Sequence, residues 1–343
     1  MRTLIAISAA LAALAATAAS ADPPPAAVGT TSHGFLADRG VPSAIDHPDA
    51  TTVPANPNGQ AGTATTGIND RGQVLGAYEG PDRVIRHFVR DRKGRFTAIE
   101  DPPGGSESDE YVDVNNRGEI VGFYNDDQGV TTTGFLRSRR GRFVDINVPG
   151  SQVTGPLKIN DRRQVVGIYV DAAGAVHGFL WDQGDFAAID VPGAAATTVL
   201  GIDNRGRMVG SYIDAQGAYH GFLRDRNGAV TAIPEAPGAD PASGGTQPAS
   251  LSERGQIVGL AYDAQGGSRG FLFERGRFKM IDGPSATYTR ALDINNRGQI
   301  VGDYGTREPA GRGSGGLGSV STHTRTEEDP REPPSRSEPR LFP

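Results

Sequence analysis

Charged residues occupy one recurring position of this sequence. Asp113, Lys158 and Asp293 each stand directly before an apolar residue and an asparagine that open a turn. The equivalent position elsewhere holds Gly67, Gly201 and Ser250. Two carboxylates and an ammonium brought into one channel would favour a polar ligand, or acid–base chemistry of the glycan hydrolase or lyase type. Solvated strand ends are the alternative interpretation, because exposed charges are the norm.

Histidine recurs at a second position, directly before the word Gly-Phe-Leu or its variants. Across the six repeats this position holds His33, Arg86, Thr133, His177, His220 and Arg269. Imidazoles commonly bind zinc and copper, but these come from different repeats and are predicted to lie far from the channel, so we predict no metal site. Trp181 is the only tryptophan. It is interpreted either as packing or as a sugar-stacking platform, and it joins the channel residues as a candidate binding residue.

Several kinds of chemistry are excluded or disfavoured by what the chain lacks. With no cysteine, thiol catalysis and thiolate zinc sites are excluded. The repeated word GIDNRG has neither nucleotide-binding nor calcium-loop spacing. We therefore predict no catalytic residue and no cofactor.

The elements that position the candidate residues are internal repeats. The words GINDRGQVLGAY, DVNNRGEIVGFY, GIDNRGRMVGSY and DINNRGQIVGDY begin at Gly67, Asp113, Gly201 and Asp293. Their closing glycine recurs six times, at Gly76, Gly122, Gly167, Gly210, Gly259 and Gly302. A residue found at the same place in every repeat serves the fold, so we interpret the turn as scaffold and look for function where the repeats differ.

Each repeat is typical of four short strands. In the first complete repeat these are predicted at 63–69, 73–78, 87–90 and 95–100, joined by turns with Asn or Asp early and Gly at the end. The polar side chain bonds its own backbone and glycine accepts the positive φ of the turn. Four antiparallel strands, repeated six times, predict an all-β fold, a six-bladed β-propeller.

The order of half-repeats predicts how the ring closes. The half-repeat at 33–46 lacks preceding strands, and the one at 293–304 lacks following strands. We expect the N-terminal and C-terminal halves to pair as one four-stranded blade. Dividing the blades one half-repeat later would remove the need for this pairing, but would not place the long connections 47–62 and 234–249 between blades.

The repeated words resemble the HAF repeat of bacterial extracellular proteins. The copies are GINDRGQVLG, DVNNRGEIVG, KINDRRQVVG, GIDNRGRMVG, DINNRGQIVG and the degenerate LSERGQIVG, together with the HGFL words. The resemblance covers about residues 32–304 and implies a secreted repeat protein; it implies no established activity or catalytic residue. The chain departs from the pattern at Arg163, where the turn glycine is missing, and at His87, so local distortion is expected there.

The ends of the chain differ from the repeats. Residues 1–21 have a basic start, an apolar run and a small-residue cleavage site, which predict a signal peptide. Residues 22–31 are interpreted as a linker, 32–304 as the propeller, and 305–343 as a disordered Gly/Ser/Pro/Arg-rich tail. A net charge of −6, spread along the chain, argues against a nucleic-acid partner.

Together these features predict an exported monomer, secreted or periplasmic, that serves as a non-catalytic binding or interaction module. A polysaccharide or a cell-surface protein is the expected partner. An enzyme with a site at the axial channel and a cell-surface structural component are the alternatives.

Overall fold

The computed structural model describes residues 30–38, 40–51, 61–102, 110–125 and 131–307. All of them lie in one compact unit, Met1–Glu308. Within these ranges the secondary structure is strands and turns, with a single 3-10 turn at Pro241–Ser243. None of the described residues belongs to a helix long and apolar enough to cross a membrane. The predicted signal peptide, nearly all of the linker and nearly all of the tail lie outside the described residues.

The strands are short, as the turn spacing predicts. They are β1 Thr30–Asp38, β2 Val41–Ile45, β3 Ala61–Ile68, β4 Val74–Glu79, β5 Ile85–Arg90, β6 Phe96–Ala98, β7 Glu110–Val114, β8 Ile120–Asn125, β9 Thr132–Arg137, β10 Phe143–Ile146, β11 Val153–Ile159, β12 Gln164–Val170, β13 Val176–Asp182, β14 Asp185–Ile189, β15 Ala196–Ile202, β16 Met208–Ile213, β17 Tyr219–Arg224, β18 Val230–Ala232, β19 Thr246–Leu251, β20 Ile257–Tyr262, β21 Ser268–Glu274, β22 Arg277–Ile281, β23 Ala286–Ile294 and β24 Ile300–Arg307.

Consecutive strands pair as antiparallel groups of four. Strands β3 to β6, β7 to β10, β11 to β14, β15 to β18 and β19 to β22 each form such a group. Strands β23 and β24 pair with β1 and β2 in the same way, with β24 against β1 from Thr30↔Arg307 to Ala37↔Ile300. The prediction of an all-β chain built from four-stranded antiparallel sheets is confirmed.

The core is built from the same positions in every group. The phenylalanine of each third strand is 1% exposed or less; these are Phe35, Phe88, Phe135, Phe179, Phe222 and Phe271. In front of each ring stands the recurring glycine of the second strand. At Gly167 an added Cβ would lie 2.0 Å from the carbonyl oxygen of Gly155 and 2.9 Å from the ring of Phe179. Close approach of strand and ring therefore requires glycine there.

Replacing Gly167 by alanine is expected to lower the free energy of unfolding by about 3 kcal/mol, because the methyl group would collide with backbone and a buried ring. Gly155 lies on the paired strand of the same sheet, and an added Cβ would meet its nearest atom at an ordinary 3.5 Å. Gly155→Ala is thus the matched control, expected to change stability by less than about 1 kcal/mol. Urea denaturation of both variants measures the difference, and equal losses would contradict the steric argument.

The two departures from the repeat pattern leave the backbone pattern intact. Arg163 takes the left-handed conformation itself, with φ of 66°, and its N–H donates to Asn160 at 3.1 Å as the turn glycine does elsewhere. At His87 the ladder between β4 and β5 is continuous. The expected distortion is absent at both places, because an arginine can adopt the turn conformation at some cost and the sheet accommodates a buried imidazole.

Candidate functional site

A β-bulge in each first strand sets the direction of the variable residue. The pairing of the first and second strands slips by one residue in all six groups. The residues directly after the slip are Gly67, Asp113, Lys158, Gly201, Ser250 and Asp293. A bulge re-aims the side chain that follows it. Here it turns the variable position toward the other first strands.

Lys158 joins two carboxylates from two other first strands. Its Nζ lies 2.6 Å from Asp293 Oδ1 and 3.3 Å from Asp113 Oδ1. The side chains are 8%, 4% and 4% exposed for Lys158, Asp113 and Asp293. The structure therefore brings together three of the four predicted site residues. They are buried, and the alternative of solvated strand ends is wrong.

Further donors hydrogen-bond to both carboxylates. Asp113 Oδ2 accepts the N–H of Ile159 at 2.9 Å. Asp293 Oδ2 accepts the N–H of Ile68 at 2.7 Å, and its Oδ1 accepts the hydroxyl of Ser250 at 2.6 Å. Buried charges are tolerated when paired and hydrogen-bonded in this way. The cluster thus ties five first strands together, four through their side chains and β3 through the N–H of Ile68.

The electrostatics of the cluster follow from its burial. Burial raises the pKa of Asp113 to about 6, against the attraction of Lys158 and with the help of the charge on Asp293. For Lys158, burial works to lower the pKa, but the two carboxylates outweigh it and the pKa is raised. Lys158 is consequently a fixed cation at neutral pH, and mild acidification adds a proton to the carboxylates of the cluster.

Above this cluster, one residue of each turn forms a continuous belt of hydrogen bonds. The belt consists of Asp70, Asn116, Asp161, Asn204, Glu253 and Asn296, so carboxylates alternate with amides. The N–H of each member donates to the side chain of the next, and the N–H of Asn296 donates to Asp70 at 2.7 Å. The sequence of contacts returns to its starting residue. In this order, the strands of Lys158 and Asp293 are three steps apart.

In four of the six groups, a buried asparagine directly before the belt residue adds a second link between groups. Asn115 Oδ1 accepts two N–H groups of its own turn, as the turn chemistry predicts, while its Nδ2 donates to the carbonyl of Asn160 at 3.2 Å. Asp203 occupies this position in its repeat and lacks the amide Nδ2 donor of asparagine. There Arg207 pairs with Asp203 and donates to the carbonyls of Ser252 and Glu253 instead. The turns are scaffold, but they hold neighbouring groups together as well as closing hairpins.

The belt surrounds an open concavity whose floor is the buried cluster. Its lining includes the belt, five of the six buried turn residues, and Asp113, Lys158, Ser250 and Asp293. The surface is dominated by carboxylates and amides. It can accept hydrogen bonds from a polar ligand that enters from the turn end of the molecule, and it can donate hydrogen bonds to that ligand.

Trp181 does not lie with the other three candidate residues. It is on β13, paired with Val165 and Phe186, and packs half-buried beside Val165 and Phe179. Its surroundings are those of a side chain that covers the core between two strands.

The recurring histidines lie at the end of the strands away from the concavity. Each is paired with carboxylates, which the sequence words alone did not reveal: His33 with Asp46 at 3.0 Å and His177 with Asp190 at 3.1 Å. Arg269 pairs with Asp282 in the same way. In these three repeats the position is a cross-strand partner for the acid of the Ile-Asp word, whereas His220 pairs with Asp214 of its own hairpin at 2.8 Å. Among the described residues, no three His, Asp or Glu side chains converge as metal ligands.

His87 provides a test by pH. Burial lowers its pKa to about 3. Because the unfolded chain protonates histidine near pH 6.5, the stability contributed by neutral His87 is present above pH 6.5 and is lost as the pH falls toward 3. The unfolding free energy of both proteins is expected to fall when the pH is lowered from 7 to 4.5. The fall should be about 2–3 kcal/mol smaller for His87→Gln than for the unaltered protein. Chemical denaturation at both pH values measures this, with the half-buried His220→Gln as control.

The comparisons with known proteins concern the fold. No family model matches the chain, and no curated protein sequence matches it. The structure assigned as TolB from Agrobacterium tumefaciens matches with 9% identity, covering 82% of this chain and 100% of that one, with a TM-score of 0.56. AofleA from Arthrobotrys oligospora matches at 13% identity over 81% and 84% of the two chains, with a TM-score of 0.45. A mutant Aleuria aurantia lectin in complex with α-methyl-L-fucoside matches at 12% identity over 74% and 94%, with a TM-score of 0.42. The chain has a propeller-like fold.

Proposed function

We propose that this protein is an exported six-bladed propeller of the HAF repeat type that acts as a non-catalytic binding module, with its ligand in the concavity at the turn end. The observation that carries the proposal is the concavity itself, an open polar hollow whose lining comes from all six repeats. Concave sites with converging polar groups are the usual places for ligands in folds of this kind.

Closure of the ring is supported by two independent sets of contacts. The belt of hydrogen bonds runs through six turns and returns to Asp70. Strand β24 pairs with β1 along eight residue pairs, which brings the two half-repeats into one antiparallel group. Both features are expected of a propeller whose first and last half-blades are joined.

Binding is favoured over catalysis by the state of the charged groups. A general base needs an accessible lone pair within reach of substrate. Asp113 and Asp293 are buried, held by Lys158, and hydrogen-bonded to backbone N–H groups. The cluster therefore serves as the floor of the site, and the belt above it presents the groups that a ligand contacts.

The test is binding by the purified full chain to a panel of polysaccharides, peptidoglycan fragments and divalent cations, read as retention and as a shift in Tm. The belt variant Asp161→Ala/Asn204→Ala is expected to bind the retained ligand at least about tenfold more weakly, since direct polar contacts typically carry about 1–2 kcal/mol each. Asp190→Ala/Asp282→Ala removes two exposed groups from the opposite end and should bind normally.

Two results would overturn the proposal. The first is that the belt variant still binds the ligand while Asp190→Ala/Asp282→Ala no longer does. The second is turnover of any panel member that disappears in a folded belt variant, which would establish an enzyme. Melting curves of both variants ensure that only folded protein is compared.

A further inference from the structure

The end of the molecule that carries the concavity also carries a ring of exposed arginines. Each belt residue is followed directly by one, in every repeat. The arginine ring consists of Arg71, Arg117, Arg162, Arg205, Arg254 and Arg297. The arginine ring lies at the end of the molecule that carries the concavity, because each arginine directly follows a residue of its lining. The repeat pattern therefore gives a sixfold set of guanidinium groups at one end.

Most of these charges are not neutralised by the protein. Arg205 pairs with Glu253 at 3.2 Å, while the other five form no ion pair within the described part of the chain. Arginines at the opposite end behave differently: Arg86 pairs with Asp82 at 2.6 Å and Arg269 with Asp282 at 2.5 Å. The unpaired cations are thus concentrated at the end with the opening.

Further basic side chains reach the same end from the hairpins between third and fourth strands. An added Cβ on Gly72 would meet Arg92 Cγ at 2.6 Å, and one on Gly118 would meet Arg139 Cγ at 3.5 Å. These arginines therefore lie over the turns that bear Arg71 and Arg117. The turn end therefore sets the six arginines of the ring and these hairpin arginines against the three carboxylates of the belt, Asp70, Asp161 and Glu253. Such an excess of cations attracts a polyanion.

The belt indicates which groups the polyanion should carry besides its negative charges. Its carboxylates and amides are suited to hydroxyl groups, and a carboxylate such as Asp70, with three donors already bound, retains capacity for a further one. Guanidinium groups bind carboxylates through paired N–H donors. Stacking of single-stranded nucleic-acid bases requires accessible aromatic rings, and no described aromatic residue is among the exposed large apolar ones.

We propose that the turn end binds an acidic polysaccharide, with sugar carboxylates on the arginine ring and sugar hydroxyls on the belt. This inference rests on the proposed function and deepens it by naming the ligand class. A sugar polymer with a carboxylate on each unit supplies both groups at a regular spacing, and several weak contacts along one chain add up to useful affinity.

The experiment measures binding of the full chain to immobilised polygalacturonate, with neutral dextran as the uncharged surface and duplex DNA as competitor. Arg71→Gln/Arg117→Gln/Arg297→Gln removes three neighbouring members of the arginine ring. Arg83→Gln/Arg86→Gln/Arg269→Gln removes the same charge from the opposite end. We expect the first variant to bind at least about tenfold more weakly and the second to stay within about threefold, with binding of the unaltered protein falling as salt rises.

The outcomes separate the inference from the proposed function. The protein could bind dextran as strongly as polygalacturonate, with neither variant affecting binding. That result would leave a binding module but overturn the proposal that its ligand is acidic. Equal losses in the two folded triple variants overturn the location. Tighter binding of duplex DNA than of polygalacturonate assigns a nucleic-acid partner and overturns the ligand class. Absence of binding to all three probes overturns the inference, while the belt variants still test the concavity on the wider panel.

Discussion

Replacement of Lys158 by methionine is expected to lower the free energy of unfolding by about 3–5 kcal/mol at pH 7. Removing one partner of a buried ion pair leaves an uncompensated charge, and that is the costly change. Here two carboxylates, 4% exposed each, would lose the cation that lies 2.6 Å from one and 3.3 Å from the other. Methionine keeps most of the side-chain volume, so the loss reports charge rather than a cavity.

The pH dependence gives this prediction a second readout. Burial raises the pKa of Asp113 to about 6, so the folded state binds this proton more tightly than the unfolded state. A raised carboxyl pKa contributes stability at low pH that is lost as the pH rises through about 6. The deficit of Lys158→Met should therefore shrink between pH 7 and pH 5, as protonation removes a buried negative charge.

Matched variants isolate the ion cluster from other effects. Asp113→Asn alone leaves the Lys158–Asp293 pair in place and should cost less than about 1 kcal/mol, since the cluster then carries no excess charge. Adding Asp113→Asn and Asp293→Asn to Lys158→Met should recover much of the lost stability. Urea denaturation at the two pH values measures all of them. A Lys158→Met deficit that is unchanged by pH or by the added substitutions would contradict the electrostatic explanation.

The repeats made the strands predictable from sequence, and the reasons are local. The turn words carry Asn or Asp at the start and Gly at the end, and their chemistry acts within a few residues. Strand β4, for example, was predicted at 73–78 and is found at Val74–Glu79. The recurring glycine was interpreted as part of the scaffold. Its structural reason is the close approach of a first-strand carbonyl and a buried phenylalanine ring.

The contacts between repeats were beyond the reach of the sequence. The position of Asp113, Lys158 and Asp293 in each repeat identified them as candidates, but nothing local shows that Lys158 extends to Asp293, three steps away around the belt. The buried asparagine was explained by its own turn, while its second bond crosses to the next repeat. These features depend on how repeats stack, which the words themselves do not encode.

Charge was the property that sequence statistics described least well. A net charge of −6 spread along the chain argued against a nucleic-acid partner and gave no sign of how charge is distributed. The alternation of strand direction sends hairpin arginines to one end and the Ile-Asp acids to the other. Trp181 was interpreted either as packing or as a sugar-stacking platform. Its place on β13, opposite Val165 on one neighbouring strand and Phe186 on the other, favours packing.

A disulfide between the first and last strands is expected to stabilise the protein by up to about 5 kcal/mol if the ring closes as proposed. Thr31 on β1 is the register partner of Thr306 on β24. Directly opposed residues of antiparallel strands lie close enough for a disulfide. Cross-linking them would close a loop of about 275 residues, and the loss of unfolded-state entropy grows with loop length.

The absence of cysteine makes this test clean, because Thr31→Cys/Thr306→Cys introduces the only two thiols of the chain. The same variant, reduced, is the matched control for the substitutions themselves. Mass spectrometry and non-reducing electrophoresis establish an intramolecular link, and guanidinium denaturation compares the two redox forms. The closed ring requires ready oxidation within one molecule and a higher unfolding free energy in the oxidised form. Cross-links only between molecules, or an oxidised form no more stable than the reduced one, would show that β1 and β24 do not hold the ring together.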